Sequence, residues 1–180
     1  MTDPMFEVAE LEHHPARIHD SELLKHCTWT FLRRSGPGGQ HRNKVETAAL
    51  ITHVPSGLSA EANKSRSQES NRQEAVTRLR LKLACEIRCQ QMAAEQPSEL
   101  WRSRLKGTSV SIAADHRDFP SLLAEAMNVL VGANWEHTLA ANKLGISSTQ
   151  LIKFLAKHPP ALQKLNAARS AKNLPPLKPT

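Results

Sequence analysis

The sequence predicts an α+β fold: a small antiparallel sheet with a long covering helix and an exposed Gly38-Gly39-Gln40 loop, followed by a small all-helical C-terminal module. Three observations carry this. Segments 28–33, 45–54 and 58–62 alternate or run apolar at strand length, and Pro55-Ser56-Gly57 supplies a turn between the last two. From residue 67 the apolar period lengthens, with Val76, Leu79, Leu83 and Ile87 recurring 3, 4 and 4 residues apart on one helical stripe. Beyond residue 120, Ser, Asn, Gly and Pro punctuate a series of short helical patterns.

Residues 1–19 form a mixed N-terminal segment, whose His13, His14 and His19 lack the carboxylate or Cys spacing of a metal site. Residues 20–95 form the main domain. Asp20 or Ser21 caps a short helix through Cys27, and strand 28–33 then delivers the chain into Arg34–Lys44. That stretch holds three of the seven glycines, and Gly-Pro-Gly-Gly breaks regular structure while letting a backbone approach another surface closely. After it come strand 45–54, the Pro-Ser-Gly turn and strand 58–62. Ser65 with Gln68, or Ser67, caps a helix over 67–94 that stops before Pro97.

Residues 96–120 read as a basic linker, with Trp101–Gly107 either a tether or an RNA-contacting strip. Residues 121–171 are helical. Ser121 caps a first helix ended by Gly132, and Asn134 caps a second with Gly145 just past its end. Ser147 and Gln150 box the start of a third over 148–157, and a fourth covers 161–170. Residues 140–153 have the outline of a helix-turn-helix, which suits RNA or ribosome docking, DNA binding or a plain structural cap. Residues 172–180 read as a disordered tail.

The formal net charge is +7, and it is uneven: residues 1–32 carry 2 Lys and Arg against 6 Asp and Glu, whereas residues 33–106 carry 14 against 7. A basic block that begins at a backbone-approach loop points to a polyanion, most simply nucleic acid. The three cysteines, Cys27, Cys85 and Cys89, have no metal-site spacing and read as reduced thiols of a cytoplasmic protein. No apolar run has membrane-spanning length, and the acidic start has no signal-peptide layout. No metal and no cofactor is expected.

Ser35-Gly36-Pro37-Gly38-Gly39-Gln40-His41 with Asn43-Lys44 strongly resembles the peptidyl-tRNA hydrolysis domain of class-I peptide chain release factors. The likeness continues in order through Ile51-Thr52-His53, Pro55-Ser56-Gly57, Arg66-Ser67-Gln68, Asn71 and Arg72, over about residues 33–80. It implies that Gly38, Gly39 and Gln40 are catalytic. The glycines allow the loop its shape, the Gln40 backbone N–H stabilises developing negative charge, and the Gln40 side chain admits water and excludes bulkier nucleophiles. It implies ribosomal or tRNA contacts for Arg34, His41, Arg42, Asn43, Lys44, Arg66, Gln68, Asn71 and Arg72. For Asn71 and Ser67, helix capping and local bonding remain the alternative, and His53 reads as a turn-side packing residue. It further implies Gln40 as a substrate for a glutamine methyltransferase that makes N5-methylglutamine.

The partners so implied are the peptidyl transferase centre of the large subunit, peptidyl-tRNA and ribosomal RNA, with a monomer expected and no membrane. Only 32 residues precede Arg33, too few for a codon-reading domain, so the chain resembles the short, codon-independent rescue type. It departs from one group of these: its cations Lys143, Lys153, Lys157, Lys164, Arg169 and Lys172 lie in a helical third in place of a disordered tail, and a helical insertion between the second and third strands is missing. Peptidyl-tRNA held in a free large subunit is the other substrate this pattern allows. The competing function is a non-enzymatic RNA- or DNA-binding module built on the basic core and the helix-turn-helix.

Overall fold

The computed structural model describes residues 14–33, 46–89 and 96–179. The chain divides into two compact units, Pro15–Leu83 and a second that takes in Ala84 onward together with His14. No helix among the described residues is long and apolar enough to cross a membrane.

In the first unit α1 (Asp20–Lys25) leads into an antiparallel sheet of β1 (Cys27–Leu32), β2 (Ala48–His53) and β3 (Leu58–Ala62), in spatial order β1-β2-β3. The central position of β2 explains why Ala48, Ala49, Ile51 and His53 are all buried, while β1 alternates along most of its length. Gly57 closes the β2–β3 turn at φ +67°, the conformation the Pro-Ser-Gly spacing predicts. The α1 cap is His19, whose Nδ1 accepts the Ser21 N–H at 3.2 Å. Asp20, an expected cap, stands inside the first turn and pairs with Arg80 at 3.2 Å.

α2 (Gln68–Glu86) follows. The Ser67 hydroxyl accepts the Ser70 N–H at 3.3 Å and so caps it, while Ser65 Oγ accepts the Ser67 N–H just outside. Its buried stripe is Asn71, Ala75, Leu79 and Leu83, with Val76 half-buried beside it. Arg78 and Lys82 donate to the Glu61 and Ser59 carbonyls of β3 at 2.7 and 3.1 Å, which engages acceptors on a sheet edge.

In the second unit the long helix ends at Glu86, eight residues short of the expected Ala94. The reason is Arg88, which turns its buried guanidinium back onto the carbonyls of Ala84 at 3.0 Å, Cys85 at 2.6 Å and Ile87, satisfying acceptors that the last turn leaves open. Burial lowers the Arg88 pKa to about 10 and pushes the Cys85 thiol up to about 12, which leaves that thiol inert as a nucleophile.

Residues 96–120, expected as a linker, are folded into α3 (Glu99–Ser103) and a hairpin of β4 (Leu105–Lys106) and β5 (Ser109–Val110). Trp101 drives this. It is fully buried, its indole N–H donates to the Leu144 carbonyl at 2.8 Å, and Phe154 meets it edge-on at 5.4 Å. Trp101 is therefore a core anchor and not an RNA contact. Ser98 caps α3, and Glu125 accepts from the Ser98 backbone N–H at 2.7 Å and from its hydroxyl at 2.5 Å.

Glu125 belongs to α4 (Phe119–Gly132), which is buried along Phe119–Asn128 and is the central helix of this unit. Pro120 fills its first turn, so Ser121 lies inside the helix and does not cap it. Asn134, expected to start the next helix, instead ends this one. It takes φ +52°, its N–H donates to Val131 O at 2.9 Å, and the Trp135 N–H donates to Leu130 O at 2.7 Å, the bond pair of a Schellman ending.

Then come α5 (His137–Lys143), α6 (Ser148–Ala156) and α7 (Pro159–Ser170). Gly145, at φ +69°, ends α5 with the same bond pair, Gly145 N–H to Asn142 O at 3.1 Å and Ile146 N–H to Ala141 O at 3.0 Å. Ser147 caps α6, accepting the Gln150 N–H at 3.2 Å. The tail, expected to be disordered, is tied down at Leu177. Its N–H donates to Asn166 Oδ1 at 2.8 Å and its carbonyl accepts from Asn166 Nδ2 at 3.0 Å.

Candidate functional site

The expected catalytic residues Gly38, Gly39 and Gln40, and the expected RNA contacts Arg34, His41, Arg42, Asn43 and Lys44, lie outside the described residues. Their frame is described. β1 and β2 pair out to Leu32↔Ala48, so residues 33–47 leave and return at one end of a two-strand ladder.

The return leg is held from α2. Gln68 Nε2 donates to the Glu46 carbonyl at 2.8 Å. Asn71 Nδ2 donates to the Thr47 carbonyl at 2.7 Å and to Ser65 O at 2.9 Å, while its Oδ1 accepts the Ser65 N–H at 2.9 Å. Asn71 is 1% exposed, so these three bonds occupy its amide in a dry site. They are worth more there than at the surface, because a lost partner leaves a buried polar group unpaired. Across the base, Arg33 Nε meets Glu46 Oε1 at 3.3 Å, but both side chains are largely exposed and the pair contributes little.

Arg72, one position on, sits over the rings of Trp29 and Phe31 at 5.1 and 5.9 Å. The two rings lie parallel with centroids 6.1 Å apart, and both come from β1, the outgoing leg. One turn of α2 thus grips both legs of the loop: Gln68 and Asn71 the return, Arg72 the exit. Arg72 keeps a half-exposed guanidinium, 3.8 Å from Glu69. Arg66 is exposed ahead of the helix. Of the four described RNA-contact candidates, Asn71 takes the local-bonding alternative, and Gln68, exposed apart from its bond, and Arg72 have structural work as well.

Sequence reasoning missed the Glu46 and Thr47 carbonyls, which no residue pattern can mark. It also missed the Trp29–Phe31 platform, which the two-residue spacing in a strand does signal. His53 is the turn-side residue it expected. It is buried, its Nδ1 lies 2.8 Å from Ser56 Oγ, and desolvation with the nearby His26 lowers its pKa, so it is neutral near pH 7.

Residues 17–118 match the family model of the RF-1 domain. Over 89 residues, 49% of this chain, the sequence is 42% identical to peptide chain release factor 1 of Xylella fastidiosa (strain 9a5c). The matched region is 22% of that relative, so the chain spans a small part of its length.

Proposed function

Because this chain belongs to the class-I peptide chain release factor family, we propose that it hydrolyses the ester between nascent peptide and tRNA on the ribosome, and does so without reading a stop codon. The observation that carries the reading is the grip of α2 on both legs of the Gly38-Gly39-Gln40 loop through Gln68, Asn71 and Arg72. A catalyst that works through one backbone N–H and one amide gains rate by holding them in place, since orientation and a preorganised donor contribute only when they do not relax.

In this reading the Gln40 N–H donates to the oxygen that gains charge as water attacks the ester carbonyl. The Gln40 side chain leaves room for water alone. The ribosome supplies the substrate pose and the RNA walls, with Arg34, His41, Arg42, Asn43, Lys44, Arg66 and Arg72 on phosphate or base edges. The protein acts as a monomer in the cytoplasm, on stalled ribosomes or on large subunits that retain peptidyl-tRNA. Gln40 is the acceptor for N5-methylation by a glutamine methyltransferase.

The test is peptide release from ribosomes stalled on mRNA without a stop codon, and from isolated large subunits carrying peptidyl-tRNA. The wild-type chain releases peptide from at least one of these. Gln40→Ala and Gly39→Ala abolish release while ribosome binding is kept. Wild-type release only in the presence of a stop codon removes the rescue reading, and normal release by Gln40→Ala removes the catalytic one.

A further inference from the structure

From residue 137 to the C-terminus the sequence has seven Lys and Arg and no Asp or Glu. That run holds a charge equal to the net +7 of the whole chain, and all of it lies beyond the region matched by the family model. Within the run the cations divide by what they touch. Lys164 pairs with Glu86 at 2.8 Å, Lys172 donates to the Asn134 carbonyl at 2.7 Å, Arg169 donates to the Pro175 carbonyl at 3.0 Å, and Lys157 donates to the Ile112 carbonyl. Lys143, Lys153 and Lys178 are different: all three are exposed, and none makes a hydrogen bond or ion pair with a described residue. Lys178 lies in the tail beyond the last helix, which leaves Lys143 and Lys153 on the helices.

Lys143 and Lys153 stand on a pair of helices joined by a short, hydrogen-bonded turn. Lys143 is the last residue of α5, and Lys153 lies in the middle of α6. The Schellman bonds at Gly145, the Ser147 cap and the Ser147 N–H to Thr108 carbonyl bond at 3.0 Å leave the intervening turn little freedom. Leu144, Ile146, Leu151 and Leu155 are buried beneath it. From Asn142 to Lys153 the exposed positions are Asn142, Lys143, Gly145, Ser147, Thr149 and Lys153, with two cations and no carboxylate, while Thr138 and Leu139 are exposed further back on α5.

We propose that the α5–α6 hairpin is a docking surface for the phosphate backbone of folded RNA, with Lys143 and Lys153 as its charged contacts and the first turn of α6 as a supporting donor edge. The one acid on the hairpin is the exposed Glu136 at the start of α5, a full helix length away from Lys143, so an approaching polyanion meets a net positive surface at the turn. Bidentate reading of base edges falls chiefly to Arg, Asn and Gln, and of these α6 has only the half-buried Gln150, while its single Lys153 acts as a point charge. Contact is therefore blind to sequence, which suits a ribosomal RNA surface and not a DNA operator. The choice of RNA rests on the reading of this chain as a ribosome-directed factor. The surface itself rests on the charge and geometry.

The full chain and its Lys143→Gln/Lys153→Gln variant are titrated with an RNA hairpin duplex, and with a DNA duplex of the same sequence, across a salt series. The variant binds the RNA about tenfold more weakly than wild type, and the slope of log K against log salt falls by about two, one per lost phosphate contact. An unchanged slope and affinity, or a variant that loses DNA binding and keeps RNA binding, overturns the proposal. Thermal melting of the variant verifies the fold, and both substitutions lie at exposed helix positions. Failure of the wild-type chain to release peptide, with its RNA binding intact and weakened in the double variant, counts against the hydrolase reading and leaves the docking surface standing.

Discussion

Asn71→Ala isolates the grip on the loop. The substitution removes two donors and one acceptor, breaking bonds of 2.7, 2.9 and 2.9 Å at a site that is 1% exposed. Each such bond is worth about 1 kcal/mol net, and a buried carbonyl or N–H left unpaired raises the cost. Against this, Ala is the better helix former, by at most about 0.5 kcal/mol in the first turn, where Asn71 stands. The expected loss is about 2–3 kcal/mol, a large share of the stability of a small unit. In urea this moves the unfolding midpoint down by about 1 M for a typical slope. Gln73→Ala is the control on the same helix: its side chain is exposed, its one bond to Glu69 is 3.3 Å long, and its effect stays within about 0.5 kcal/mol. In peptide release, Asn71→Ala lowers turnover at saturating ribosomes even below its unfolding midpoint, because the return leg at Thr47 is no longer held. A stability loss as small as that of Gln73→Ala, or full turnover in the variant, refutes the argument that this amide positions the loop.

Trp101→Phe keeps the ring packing on Phe154 but drops the indole bond to Leu144 O, leaving that buried carbonyl unpaired, and costs about 1–3 kcal/mol by urea unfolding. A cost near zero would show that the indole N–H does not anchor the turn after α5. Stability falls as the pH drops below 6.5, the ordinary histidine value. Burial holds the His53, His137 and His158 imidazoles below it, so the unfolded chain takes up protons there while the folded chain resists. Above that pH both states are neutral at these sites and the contribution is complete. The lowered carboxyls of Glu22 and Glu136 add a loss of the same sign further down, below their ordinary 4.5. Urea midpoints at pH 7.5 and 5.5 measure the histidine window, and a chain at least as stable at pH 5.5 contradicts the assignment.

Features set by a few neighbouring residues were legible. The β2–β3 turn at Gly57, the Ser147 cap and the Gly145 ending each depend on φ or on a donor within about one turn, and local sequence encodes both. Asn134 shows where this breaks down. Asn suits a helix start, as an acceptor for free N–H groups, and also a helix end, as a residue that tolerates φ > 0. Two helical patterns abut there, and local residues cannot decide which one claims it. Trp101 was misread for a different reason. The carbonyl that satisfies its indole lies 43 residues away, and without that partner an aromatic among arginines reads as exposed. The Arg88 stop to α2 is likewise invisible, because a basic residue late in a helical pattern normally points to solvent.

The candidate site divides along the same line, and this bears on what a motif match means. Gly38, Gly39 and Gln40 stand out because no structural element needs them in that order. Gln68, Asn71 and Arg72 stand out through the resemblance to the family, which suggested RNA contacts for all three, with capping at Gln68 and local bonding at Asn71 as the readings beside it. Yet Asn71 is buried and spends its whole amide on Thr47 and Ser65, and Gln68 reaches a backbone carbonyl of Glu46. Their acceptors are main-chain atoms, which no residue identity can announce. A recurring motif therefore mixes residues that meet the substrate with residues that hold those in place. Burial separates the two: a side chain that is 1% exposed and bonded through its amide cannot reach RNA, even where it belongs to the family's motif. On that criterion Arg66 and the half-exposed guanidinium of Arg72 stay accessible for the contacts proposed above, and Asn71 belongs to the frame.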